Sequence, residues 1–130
     1  MRDFEKYLAV AEFTLITKDT EVTLLKENLK VYEAIVEAKK SGKRAAVATV
    51  IKVIGSSYRR EGAKMFIDEA ERNIGLISGG CLESDVAEEA KAVIESGKPF
   101  TKFYDLDEDY VWGLGLGCPG KVMVYIERVS

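Results

Sequence analysis

Residues 45–68 read AAVATVIKVIGSSYRREGAKMFID. The run up to Gly55 is dense in β-branched and apolar side chains, which suits a strand buried on at least one face. AKMFID, residues 63–68, has the same character, and a polar turn around Glu69 to Asn73 leads from it into IGLIS, so this second part predicts a hairpin. Between the two strands lies SSYRREG, a polar loop rich in donors.

The flanking segments change period. From Thr20 to Lys40 the residues Leu25, Leu29, Tyr32, Ile35 and Val36 recur at steps of three and four, the repeat of one helix face. Asp19 or Thr20 suits its N-cap, Lys39 and Lys40 its last turn, and Gly42 a left-handed C-cap. Downstream, SGGC opens a second helical pattern with Leu82, Val86, Ala90, Val93 and Ile94 on one side, ended by Gly97 and kept from resuming by Pro99. PFTKFYDL and KVMVYIERV are strands in this reading, separated by the acidic patch Asp105, Asp107, Glu108 and Asp109 and by a glycine-rich loop. Two amphipathic helices alternating with β-branched segments predict an α/β or α+β single domain, a mixed β-sheet packed with two main helices. Residues 1–19 form an N-terminal extension that suits either a short helix or a strand, and residues 20–130 form the domain.

Composition narrows the function classes. With 130 residues, 47% hydrophobic and 32% charged, the chain is long enough for one core that needs no disulfide support. A net charge of -3 with no dense Lys or Arg block argues against non-specific nucleic-acid binding. The N-terminus lacks the apolar run of a signal peptide, and no stretch approaches the roughly 20 apolar residues of a membrane span, so a cytoplasmic location is expected. The chain contains no histidine. That excludes Ser-His-Asp and Cys-His nucleophiles and the histidine-bearing zinc sites, and two cysteines alone are too few for structural zinc, so no metal ligands are assigned.

Three constellations carry chemistry. Cys81, in SGGCLES (78–84), falls in the first turn of the second helix, where unpaired N–H groups and the helix dipole favour a thiolate; Glu83 and Asp85 oppose it, and a small cysteine packed beneath a tight turn fits as well. GLGLGCPG (113–120) places Cys118 among four glycines, a loop that lets a bulky ligand approach the backbone or serves simply as a turn between strands. GSSYRREGAK (55–64) gathers Gly55, Ser56, Ser57, Arg59, Arg60 and Lys64, a group suited to an oxyanion or to a solvated basic loop.

In this order ATVIKVIGSSYRREGAKM, IGLISGGCLESDVAEEA and VWGLGLGCPGKV closely resemble the XdhC/CoxI family, accessory factors of xanthine dehydrogenase and related molybdenum hydroxylases. The resemblance runs from about Thr20 to about Arg128 and covers the N-terminal domain of that family. It implies a molybdenum cofactor-binding accessory protein or chaperone that assists cofactor sulfuration and insertion, more an aid to delivery than a turnover enzyme. In the site so implied, Cys81 and Cys118 supply soft ligands or mobile sulfur. Ser78, Gly79, Gly80, Gly115 and Gly117 give backbone access to the pterin of molybdopterin, and Gly55, Ser56, Ser57, Arg59, Arg60 and Lys64 take its phosphate. The implied partners are an apo molybdenum hydroxylase, a cysteine desulfurase, and a separate dinucleotide-binding subunit where family members carry that domain in the same chain; a homodimer is left open. Tyr58, Glu61 and Pro119 stand where the family commonly has Pro, Pro and Gly, and Pro119 removes an N–H donor beside the thiol. Two other readings stand beside this one: a small thiol-redox or sulfur-transfer protein using Cys81 and Cys118, and a non-catalytic module that binds a dehydrogenase subunit.

Overall fold

The computed structural model describes residues 18–55, 59–106 and 120–129, and of residues 18–24 the backbone alone. Helix α1 (Lys18–Ser41) leads into strand β1 (Ala45–Ile54), then β2 (Lys64–Asp68), β3 (Asn73–Gly75), helix α2 (Glu83–Ser96), β4 (Phe100–Asp105) and β5 (Lys121–Val129). The expected strands and both expected helices are present; of the expected extension, residues 1–19, all but Lys18 and Asp19 lie outside the described residues, and those two already belong to the helix, which starts ahead of the expected cap at Asp19 or Thr20.

The sheet runs β3-β2-β1-β5-β4, and each of its pairs is antiparallel. This corrects the expected mixed sheet. A helix between two strands suggests a parallel crossover, but α2 carries the chain from β3 at one edge to β4 at the other, where β4 pairs with β5 alone among the described residues. Five antiparallel strands with helices on both faces make the domain α+β.

Alternation along the strands divides the core in two. One face carries Ala46, Ala48, Val50, Met65, Ile67, Val122, Val124 and Ile126 against Val86, Ala90, Val93 and Ile94 of α2. The other carries Ala45, Val47, Phe66 and Val129 against Val31, Ile35 and Ala38 of α1. A register shift between Val50 and Lys52 inserts Ile51 as an extra residue and returns Val53 to the α2 face opposite Val122.

The C-caps follow the sequence reading. Gly97 has φ 73° and donates to the Val93 carbonyl at 2.8 Å, and Gly42 has φ 71°. The inner face of α1 is rotated from expectation. Val31, Tyr32, Ala34, Ile35 and Ala38 are buried, whereas Leu25 and Leu29 are 37% and 54% exposed. Small Ala34 and Ala38 let the helix lie close over Ala45 and Val47, a closeness that the larger leucines would prevent.

Candidate functional site

Antiparallel topology sends three connections out of one end of the sheet: 55–63 from β1 to β2, 76–82 from β3 to α2, and 106–120 from β4 to β5. These are the three segments that sequence reading singled out. Their described stems are tied together. Leu106 N–H donates to Gly120 O at 2.9 Å. Gly55 passes so near Gly120 that a Cβ on it would lie 3.7 Å from the Gly120 Cα, and Gly55 has φ 82°, where glycine is favoured. Arg59 Nη1 donates to Leu76 O at 2.8 Å, which joins the first connection to the second.

The SGGC turn is built around Ser78, which is 4% exposed. Its Oγ accepts from the N–H groups of Gly80 (3.2 Å), Cys81 (3.1 Å) and Leu82 (3.1 Å), and its hydroxyl donates to Glu83 Oε1 at 2.5 Å. Glu83 Oε2 in turn accepts from Ile77 N (2.9 Å) and Ser78 N (2.8 Å). The pair is a reciprocal cap of the turn spread over two residues more than an ordinary capping box. Partial burial works against ionisation of Glu83, but the donors from the Ser78 hydroxyl and the Ile77, Ser78 and Glu83 amides outweigh it and hold the carboxyl below the usual range. The hydroxyl and those three amides therefore serve the turn itself. Gly79 and Gly80 are exposed, and a Cβ on Gly80 would meet nothing within 4 Å, so a ligand can approach the backbone there.

Cys81 stands just before Leu82, the N-cap of α2, half-buried and packed against the α2-side core. It is disulfide-bonded. Cys118 lies outside the described residues, as do Ser56, Ser57, Gly115 and Gly117.

The two arginines of the basic loop part company. Arg59 is mostly buried; besides Leu76 O it reaches Glu27 of α1, Nη2 to Oε2 at 2.8 Å. Arg60 is exposed, its Nη1 3.4 Å from Gly55 O and its Nε 3.8 Å from Glu61 Oε1. Glu61 closes the mouth of the hairpin by accepting from Val53 N at 2.9 Å. Lys64 points inward, 1% exposed, its ammonium donating to Thr49 Oγ1 at 3.0 Å. Of the expected anion donors, Arg60 is the charged one left at the surface among the described residues.

Sequence reading missed two anchors of this loop. Asn28, fully buried in α1, donates to Gly62 O at 2.8 Å and accepts from Lys64 N at 3.2 Å, while Glu27 beside it holds Arg59. A polar side chain on the inner face of a helix was the available signal for Asn28. Tyr32, one turn on, is pushed up to about 12 by burial, partly offset by its hydrogen bond with Asn28. Among the described residues no group of three or more His, Cys, Asp or Glu could hold a metal ion, and no helix is long and apolar enough to cross a membrane.

Comparison with known proteins matches residues 38–105 to the model of the XdhC and CoxI family. A probable xanthine dehydrogenase subunit from Bacillus subtilis (strain 168) is 40% identical over 88 residues, 66% of this chain and 27% of that protein. The molybdenum cofactor insertion chaperone PaoD of Escherichia coli (strain K12) is 35% identical over 81 residues, 62% of this chain and 26% of its own. The crystal structure of a xanthine dehydrogenase from Bacillus halodurans superposes with a TM-score of 0.66 at 40% identity, covering 75% of this chain and 30% of that one. The matched region thus spans about a quarter of each curated relative's length.

Proposed function

Because the chain belongs to the XdhC and CoxI family, we propose that it is an accessory protein of a molybdenum hydroxylase of the xanthine dehydrogenase type, holding the molybdenum cofactor as cargo and delivering it to the apo-enzyme. The observation that carries this reading is the emergence of three glycine-bearing connections from one end of the sheet, with their stems tied at Gly55, Gly120, Arg59 and Leu76. A carrier of molybdopterin needs an anion donor for the phosphate, open backbone for the pterin and soft atoms for the metal dithiolene. Exposed Arg60 and the open surface at Gly79 and Gly80 suit the first two needs on described residues, and Cys81 supplies the third only once its disulfide is reduced. In this proposal Gly55, Ser56 and Ser57 complete the anion site, Cys118 with Gly115 and Gly117 completes the soft side, and Arg59, Ser78 and Lys64 position the loops from within.

In this reading the thiols, once reduced, assist sulfuration, a cysteine desulfurase is the sulfur donor, and a separate dinucleotide-binding subunit is a further partner. The test is to purify the protein from a molybdopterin-producing host and assay the released, oxidised pterin by fluorescence. The wild type should release pterin, and Arg60→Ala should release several-fold less with an unchanged melting temperature. Wild-type protein that carries no pterin, whether its thiols are reduced or oxidised, defeats the cargo reading.

A second reading, thiol-redox or sulfur-transfer chemistry, is favoured by the disulfide at Cys81. It expects free thiols to appear on mild reduction and the cysteine variants to lose sulfur-transfer activity while pterin retention stays unaffected.

A further inference from the structure

Four side chains of α1 form a strip that its own sheet leaves exposed or half-covered at three positions: Leu25 is 37% exposed, Leu29 54%, Val36 is intermediate, and only Tyr32 turns under, at 2%. At 100° per residue these four fall within a band about 60° wide. A groove of about 380 Å³ runs along it, lined among the described residues by Leu29, Tyr32, Glu33, Val36, Glu37 and Lys40.

The adjoining strip on the solvent side is charged in blocks. Lys26 and Lys30 come first and Glu33 and Glu37 follow, all exposed, and none of the four pairs with another described side chain. Within one helix the like-charged pairs, each spaced i,i+4, are unfavourable, and the i,i+3 pairs Lys30 with Glu33 and Glu37 with Lys40 offset them. Across an antiparallel copy the arrangement becomes favourable. A two-fold axis passing near Val31 sets Leu25 opposite Val36 and Leu29 opposite Tyr32 of the second helix. The same axis brings equivalent flanks together, so that Lys26 faces Glu37 and Lys30 faces Glu33, each contact occurring twice.

We propose that two copies of this chain associate through α1, antiparallel about a two-fold axis near Val31, with Leu25, Leu29 and Val36 as the seam that becomes buried, Tyr32 as the floor beneath it, and the lysine and glutamate blocks as its register. The chain's own charge pattern selects a second copy as occupant, since a partner of uniform charge would meet one block favourably and repel the other. The inference stands apart from the cofactor reading, because it uses none of the residues at the loop end of the sheet.

Sedimentation velocity of the full chain from about 1 to about 200 μM covers the range in which a small helix-pair interface assembles. The wild type should dimerise, and more weakly as salt rises. Glu33→Lys with Glu37→Lys makes the flank wholly basic, and Lys26→Glu with Lys30→Glu makes it wholly acidic. Each double variant alone should dissociate at least about tenfold more readily, while an equimolar mixture of the two should recover the wild-type dimer. Circular dichroism confirms that both remain folded, and recovery in the mixture is a readout that misfolded chains cannot give. A wild type that stays monomeric throughout overturns the proposal, and if removal of residues 1–17 then produced a dimer, the strip would be assigned to that segment. Double variants that dimerise as the wild type does, or a mixture that fails to recover, overturn it equally.

Discussion

Replacing Ser78 with alanine should be among the most costly single-atom deletions in the domain. The hydroxyl accepts from three consecutive amides and donates to Glu83, so its removal leaves Gly80, Cys81 and Leu82 N–H without that acceptor and takes one donor from a partly buried carboxylate. Loss of an ordinary serine cap costs about 0.5–2 kcal/mol. Here the hydroxyl is 4% exposed, so water cannot readily replace it, and orphaned buried donors add to the cost; ~2–3 kcal/mol is expected. In a chain of this size that is a fall in melting temperature of about 8–12 °C. Urea unfolding followed by circular dichroism should show the midpoint shifted with the slope unchanged, because no additional surface is exposed. Ser78→Thr, which keeps an acceptor oxygen, should recover a large part of the loss.

The pH profile supplies a second readout with a definite sign. Glu83 has its folded pKa lowered, so its ionised form stabilises the native state above the ordinary glutamate value, and that stability is lost as pH falls through the lower folded value. In Ser78→Ala one of the hydrogen bonds that lower the pKa is gone. The stability difference between wild type and variant should therefore be largest near neutrality and narrow below about pH 4. A loss under about 0.5 kcal/mol, or two profiles that stay parallel down to low pH, would refute the assignment of Ser78 and Glu83 as a mutual cap.

Two further substitutions probe how the loops are held. Gly75→Ala should largely prevent folding, since φ is 90° and the new Cβ would lie 2.5 Å from Lys64 O and 2.6 Å from Val31 Cγ2; soluble yield and the thermal transition report it. Asn28→Leu keeps the volume but deletes both hydrogen bonds to the basic loop, leaving Gly62 O and Lys64 N without that partner, a loss of about 2–4 kcal/mol by urea titration. Hydrogen exchange should rise first at Gly62 to Lys64.

The elements were legible in the sequence because each rests on local physics. β-Branched density marked β1, two short apolar runs either side of a polar turn marked the β2–β3 hairpin, and three-four spacing with Gly97 marked α2. Strand order was not legible. Nothing within residues 83–96 states which sheet edge the helix will deliver β4 to, and that destination decides between a parallel and an antiparallel pair. The inner face of α1 was misread for a related reason. Spacing weighs Leu25, Leu29 and Val36 by their hydrophobicity, while the sheet selects by shape, taking Ala34 and Ala38 where close approach to Ala45 and Val47 is needed. The leucines that periodicity placed in the core form the outer strip instead.

The candidate site was legible as three segments and not as a set of roles. A sequence displays donors and leaves their acceptors unassigned. GSSYRREGAK presents three cations to the reader, yet Glu27 and the Leu76 carbonyl engage Arg59, Thr49 receives the Lys64 ammonium, and Arg60 remains at the surface. Those acceptors belong to α1, to β1 and to the connection after β3, brought near only by the fold. For Arg59 to bind cargo directly it would have to leave both a carboxylate at 2.8 Å and a carbonyl at 2.8 Å. Held where it is, it fixes the distance between the basic loop and the SGGC turn, and that distance limits the size of any ligand spanning Arg60 and Gly80.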